Sequence, residues 1–99
     1  MADALIFEFE GVGREQYEAV NRNLGLDPVN GSGDWPKGMK SHVGAAKPGG
    51  WIVFEVWDST DDQEAWMQGR LGRALEEEGV TAPSRVEWLE VTGYTTPGS

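Results

Sequence analysis

Apolar residues recur along this chain with two periods, and the switches between them divide it into elements. From Ala4 to Glu10, Leu5, Phe7 and Phe9 alternate with Ile6, Glu8 and Glu10, the period of a strand. From Arg14 to Leu24 the period lengthens: Tyr17, Val20 and Leu24 fall on one helical stripe, Glu18 and Arg22 pair at i, i+4, and Gly25 supplies the stop. Leu26 to Gly38 carries Pro28, Asn30-Gly31, Gly33 and Pro36, which predicts a long loop without a regular element, anchored by Trp35. Met39 to Ala46 is a less apolar strand whose Lys40 and Ser41 suit a sheet edge. Trp51 to Trp57 is β-branched and aromatic except at Glu55, which predicts a central strand covered on both faces. The next helix is predicted from Asp61 to Glu78. Ser59 or Thr60 caps it, Thr60 and Gln63 have capping-box spacing, Trp66, Met67, Leu71, Ala74 and Leu75 form its apolar face, and Gly79 ends it. Gly69 and Gly72 inside it cost about 1 kcal/mol each against alanine, so they mark a close approach to the sheet or room for a ligand. Arg85 to Thr92 is the last strand, and the tail from Gly93 is expected to be loose.

Strand, helix, strand, strand, helix, strand is an α+β order. It predicts a ferredoxin-like βαββαβ unit over residues 1–99 as a single domain: a four-stranded antiparallel sheet with two helices on one face. The loop Lys47-Pro-Gly-Gly50 sets a register in which Ala46 faces Trp51, Val43 faces Phe54 and His42 faces Glu55. A slip of one residue would scramble the apolar face that Val43 and Ala45 make with Ile52, Phe54 and Val56. Because the first strand and Trp51–Trp57 are apolar on both faces, the sheet face away from the helices is expected to meet a second copy, giving a homodimer.

Charge narrows the partners. Eight basic against 17 acidic residues give a net charge of −9, which disfavours nucleic acid and anionic membrane. The chain has no cysteine, no basic segment leading into an apolar one at its start, and no apolar run of the roughly 20 residues a membrane span needs. A cytoplasmic protein is expected. Gly11-Val-Gly13 precedes a helix but lacks the lysine of a phosphate loop.

His42 with Glu55 is the best acid/base pair available. An imidazole changes protonation near neutrality, and a carboxylate at hydrogen-bond distance fixes its tautomer. The plainer readings are a structural histidine and a Glu55 neutralised by a cation at a subunit contact. Tyr17, Trp51, Trp57, Trp66 and Trp88 are candidates for an aromatic cage around a planar substrate, although aromatics at these periods also build ordinary cores. Trp35 is either a lid over that pocket or a plug at the end of the core. Arg70, one turn after Trp66, is a candidate partner for an enolate or carboxylate, or a solvated helix charge. Glu8 and Glu10 on the first strand are candidates to share a sheet face with Glu55, and glycosidase chemistry would need a measured separation between such carboxylates. One histidine without cysteine gives no ligand cluster, so no metal and no cofactor are expected.

Phe54-Glu-Val-Trp-Asp-Ser-Thr60, followed by Glu64-Ala-Trp66 and preceded by Gly49-Gly50 and His42, resembles the dimeric α/β-barrel superfamily. The likeness is to small domains similar to antibiotic-biosynthesis monooxygenases and their actinobacterial relatives. Such families include cofactor-free oxygenases of polycyclic phenols, lactone isomerases, polyketide cyclases, haem-degrading enzymes and plain ligand binders. The resemblance implies a pocket between sheet and helices that the strand acid, here Glu55, approaches. It departs at the helix, where many such monooxygenases carry a histidine and this chain has Trp66; haem-binding members also place their histidine on a helix. The expected function is a cofactor-independent small-molecule enzyme of monooxygenase, isomerase or cyclase type, acting on an aromatic or polyketide-like substrate through proton abstraction by His42. The alternatives are a non-catalytic binding protein for a small hydrophobic metabolite and an interaction module without a cavity.

Overall fold

A computed structural model describes residues 2–98. The main sheet has four antiparallel strands in the order β4-β5-β1-β6: β1 is Asp3–Glu10, β4 Met39–Lys47, β5 Gly50–Trp57 and β6 Arg85–Glu90. Helix α1 (Arg14–Leu24) follows β1, and a second helical segment joins β5 to β6, which is the ferredoxin-like arrangement. β1 and β5 are central and β4 is an edge, as their apolar content predicts.

The short loop from β4 to β5 sets the expected register: His42 lies opposite Glu55, Val43 opposite Phe54 and Ala46 opposite Trp51. A bulge between Met39 and Ser41 ends the regular ladder. On the helix side of the sheet, Leu5, Phe7 and Phe9 of β1 meet Glu55, Val53 and Trp51 of β5. With Val20, Leu24, Trp57, Trp66 and Ala74 these side chains form the core, apart from Glu55. The outward residues of β1 pair differently: Ile6 lies opposite Phe54 and Glu8 opposite Ile52. Glu8 and Glu55 therefore occupy opposite faces of the sheet, and the sequence's candidate carboxylate pairs do not form. Glu8 instead binds Arg85 at 2.6 Å and Lys47 at 3.4 Å, and the Arg85 guanidinium holds its carboxyl below the usual carboxylate range.

Three predicted elements differ in detail. The Leu26–Gly38 segment contains a small hairpin, β2 (Leu26–Asp27) with β3 (Ser32–Gly33). Asp27 organises its turn by accepting the Val29 and Asn30 backbone N–H groups at 3.0 and 3.1 Å, a local device that hydrophobic periodicity does not register. The second helix is not continuous from Asp61 to Glu78. It runs as α2 (Thr60–Trp66), a π-helical turn over Met67–Leu71, and α3 (Gly72–Glu77). Gly69 leaves helical geometry at φ −107°, ψ −108°. The cap of α2 is Ser59, whose Oγ accepts the Asp62 N–H at 3.2 Å. The tail is not loose throughout: the Tyr94 hydroxyl donates to the Lys40 carbonyl at 3.3 Å, which ties the end of the chain to β4. No helix among the described residues is long and apolar enough to cross a membrane.

Candidate active site

β5 aims Glu55 into the helix side of the sheet, where a lone carboxylate would be costly to bury. Only 4% of the residue is exposed, and both carboxylate oxygens have donors. Oε1 accepts the Trp57 indole N–H at 3.0 Å, and Oε2 accepts His42 Nδ1–H at 2.8 Å. With Nδ1 as the donor, the neutral imidazole presents Nε2 as an acceptor. The Tyr17 hydroxyl, reaching down from α1, donates to that nitrogen at 2.5 Å. Trp57, Glu55, His42 and Tyr17 thus form one hydrogen-bonded chain.

Gly44 makes this possible. It lies two residues beyond His42 on the same face of β4, and a Cβ there would fall 2.4 Å from the Tyr17 ring. The missing side chain lets the phenol lie against the strand, near-parallel to the His42 ring at 5.9 Å and packed on Trp51 at 4.8 Å. Burial pushes the Tyr17 phenol above its ordinary value of 10.0; the Asn21 side chain pulls the other way, and the Glu55 charge adds to the rise. At rest the proton belongs to tyrosine.

These groups border a cavity between the sheet and α1, whose space open to the centre of a water molecule is about 60 Å³. Phe7, Phe9, Val20, Leu24, Val53 and Leu71 supply most of its apolar wall. Of the candidate site residues, Tyr17, Trp35, His42, Trp51, Glu55 and Trp66 line it. Trp35 packs against His42 with ring centroids 5.4 Å apart, and both also border a shallow outer cleft, so Trp35 stands between the cavity and solvent. Trp57, Arg70 and Trp88 do not line the cavity. Trp57 is wholly buried beneath Glu55, and Trp88 lies opposite Leu5 against the core. Arg70 is committed elsewhere: it donates to the Leu24 and Asp34 carbonyls at 2.8 and 3.2 Å, pairs with the Asp34 carboxylate, and lies 4.9 Å over the Trp66 ring. It clasps the Trp35 loop to the end of α1.

Sequence reading placed Tyr17 in an aromatic wall and did not see its bond to His42; Asn21 and Gly44 it did not single out. The available signals were a polar residue, Asn21, one turn after Tyr17 on an otherwise apolar stripe, and a glycine inside a strand. Among the described residues, no group of three or more His, Cys, Asp or Glu side chains is placed to hold a metal ion.

No family model matches the sequence, and no curated protein matches it. Solved structures share its fold over nearly the whole chain. A protein described as a candidate antibiotic biosynthesis monooxygenase from Chloroflexus aurantiacus J-10-fl is 21% identical at a TM-score of 0.66, covering 99% of this chain and 100% of that one. Rv0793 from Mycobacterium tuberculosis is 16% identical at 0.63, covering 97% and 100%. An asparagine-to-alanine variant of SnoaB, a cofactor-independent oxygenase from Streptomyces nogalater, is 14% identical at 0.56, covering 99% and 98%. The chain therefore has the fold of the antibiotic-biosynthesis-monooxygenase-like proteins.

Proposed function

We propose that this protein is a small-molecule enzyme that needs no cofactor and begins its reaction by taking a proton from an aromatic or polyketide-like substrate. The observation that carries the reading is the Tyr17–His42–Glu55 chain, at 2.5 and 2.8 Å, on the wall of an apolar cavity. As a substrate proton moves to the Tyr17 oxygen, the Tyr17 proton moves to His42 Nε2, and the resulting imidazolium stays hydrogen-bonded to Glu55. No free phenolate forms on Tyr17, so its raised proton affinity does not obstruct the transfer. The substrate is left as an anion in a dry site, ready to react with oxygen, to isomerise or to cyclise. The likeness to a cofactor-independent oxygenase supports the first of these.

The cavity volume bears on the substrate. About 60 Å³ is far below the roughly 300–1,000 Å³ of a pocket enclosing a drug-sized ligand, so a substrate of several rings enters only if a wall moves. Trp35, on a loop and facing the outer cleft, is the wall best placed to move. The test is a screen of phenolic and enolic compounds for oxygen uptake and product formation. Turnover is expected in the wild type and lost in His42→Ala; a ligand that binds and returns unchanged would favour the second reading, a carrier of a small hydrophobic metabolite.

The outer sheet face leaves Val43, Phe54 and Leu89 at 55%, 38% and 40% exposure, which supports a homodimer of single-domain subunits meeting through that face. The lack of cysteine accords with a reducing cytoplasm.

A further inference from the structure

The segment 34–37, which carries Trp35 between the cavity and solvent, runs between two glycines with positive φ, Gly33 at 111° and Gly38 at 88°. Both glycines are fixed to the framework. Gly33 pairs with Leu26 in the β2–β3 hairpin, and the Gly38 carbonyl accepts the Asp58 N–H at 2.7 Å. A side chain at either position would run into a neighbour, the Gly25 carbonyl or the Asp62 carboxylate. Between these points two bonds stay local, Trp35 Nε1–H to the Ser32 carbonyl at 3.0 Å and Met39 N–H to the Pro36 carbonyl at 3.4 Å, while the Asp34 N–H continues the hairpin to the Gly25 carbonyl. The grip from across the fold is Arg70. Its guanidinium holds the Asp34 carbonyl and the Asp34 carboxylate at 3.2 Å each, with the Leu24 carbonyl and the Trp66 ring as its footing. The Arg70–Asp34 ion pair is exposed, at 42% and 79% of the two side chains, and exposed pairs are weak and screened by salt.

Beyond Trp35 the outer cleft offers about 340 Å³, against about 60 Å³ in the cavity by the same measure, and the two spaces share Trp35, Met39 and His42 as walls. Joined, they reach the size of a pocket that encloses a drug-sized ligand, which the cavity alone does not. We propose that residues 34–37 are a flap pivoting at Gly33 and Gly38, that Arg70 is its latch, and that Arg70 thereby sets the size of ligand the protein accepts. With the flap shut the cavity takes only a molecule of a few atoms. With the flap open it takes a flat apolar molecule of two or more rings. The complex with the larger ligand has the latch broken, so the latch lowers affinity for that ligand by the fraction of molecules in which the flap is shut; a ligand small enough for the closed cavity is unaffected. The inference rests on the reading above in taking this cavity as the ligand site, and on none of its chemistry.

The experiment uses the full chain and two neutral probes, xenon for the closed cavity and the fluorescent dye N-phenyl-1-naphthylamine for the open one. Arg70→Met, which keeps an apolar stem on Trp66 and removes the grip on Asp34, should bind the dye about tenfold more tightly than the wild type. Asp34→Asn, a change at an exposed side chain that leaves the backbone bonds in place, should gain about threefold. Xenon, followed by its NMR shift, should bind all three proteins alike. Raising the salt to about 0.5 M should strengthen dye binding to the wild type and leave Arg70→Met unchanged, a response that a merely structural arginine would not give. Trp35→Ala should bind the dye as Arg70→Met does, and adding Arg70→Met to it should bring no further gain. The inference is overturned if Arg70→Met and Asp34→Asn bind the dye as the wild type does, if the gain from Arg70→Met survives in full without Trp35, or if none of the proteins takes up the dye. Dye binding involves no proton transfer, which separates the two proposals. A protein that takes up the dye by this rule but turns over no phenol or enol loses the proposed reaction and keeps the latch; turnover with dye affinities that ignore Arg70 does the reverse.

Discussion

A phenol that is half-buried and donates to an imidazole holds its proton more tightly than one in water, and at Tyr17 this can be measured directly. Its folded value lies above the ordinary 10.0, chiefly through burial. A raised folded value means that the associated stability is fully present below the unfolded value and is lost as pH rises through the folded one. In a Tyr94→Phe background, absorbance titration of the remaining tyrosine should therefore give a midpoint above 10.0 while circular dichroism still reports the fold. A midpoint at or below that value would remove the buried, hydrogen-bonded phenol from the account. Gly44 supports the same contact from the strand. In Gly44→Ala the new methyl group would lie 2.4 Å from the Tyr17 ring, so the ring must move off His42. We expect a stability loss of about 1–3 kcal/mol by thermal or denaturant unfolding, and a Tyr17 midpoint falling back toward its ordinary value. Unchanged stability together with an unchanged midpoint would show that the ring does not depend on this glycine.

Among the elements, the interrupted helix after β5 is the one whose sequence signal was most ambiguous. Gly69 and Gly72 looked like weak points in a regular helix, and there a glycine-to-alanine change would gain about 1 kcal/mol. The π turn reverses that sign. The Gly72 N–H donates to the Met67 carbonyl, five residues back, and a Cβ on Gly72 would lie 2.4 Å from that oxygen, a backbone atom with little freedom to yield. Gly72→Ala should therefore destabilise the protein by about 1–3 kcal/mol in chemical denaturation, whereas any gain would indicate a continuous α-helix. The turn also places Arg70 where it reaches Leu24 and Asp34, beside the Trp35 loop. An element that looked imperfect in one dimension is what fastens the cavity's outer wall.

For the whole molecule, a chain this short buries a modest core, and an apolar sheet face left in water adds to the reason for association. Sedimentation should give a mass near twice 10.8 kDa, strengthening with salt because both partners carry a charge of −9. Phe54→Lys, at an outward position of β5, should yield a folded monomer. A wild type that stays monomeric at micromolar concentration in moderate salt would refute the subunit contact and leave the cavity, on the other face of the sheet, unaffected.

The sequence alone determined the order of the elements, the β4–β5 register and hence the His42–Glu55 pair. Each of these follows from local periodicity or from a short loop that leaves two strands little freedom to slip. It also placed Glu55 as the anomaly of a buried strand. What only the tertiary structure decided was long-range or depended on the third dimension. Tyr17 meets His42 across 25 positions because its side chain reaches from α1 to β4 where Gly44 leaves space. Arg70 turns away from the cavity because a π turn rotates that part of the helix, and Trp57 lies beneath the carboxylate rather than beside a ligand. The unpartnered Trp51 indole N–H became visible only once the neighbouring hydrogen bonds had been placed. Periodicity reports which face a residue occupies; satisfaction of a buried polar atom depends on which other chain segments arrive there, and that is a property of the folded molecule.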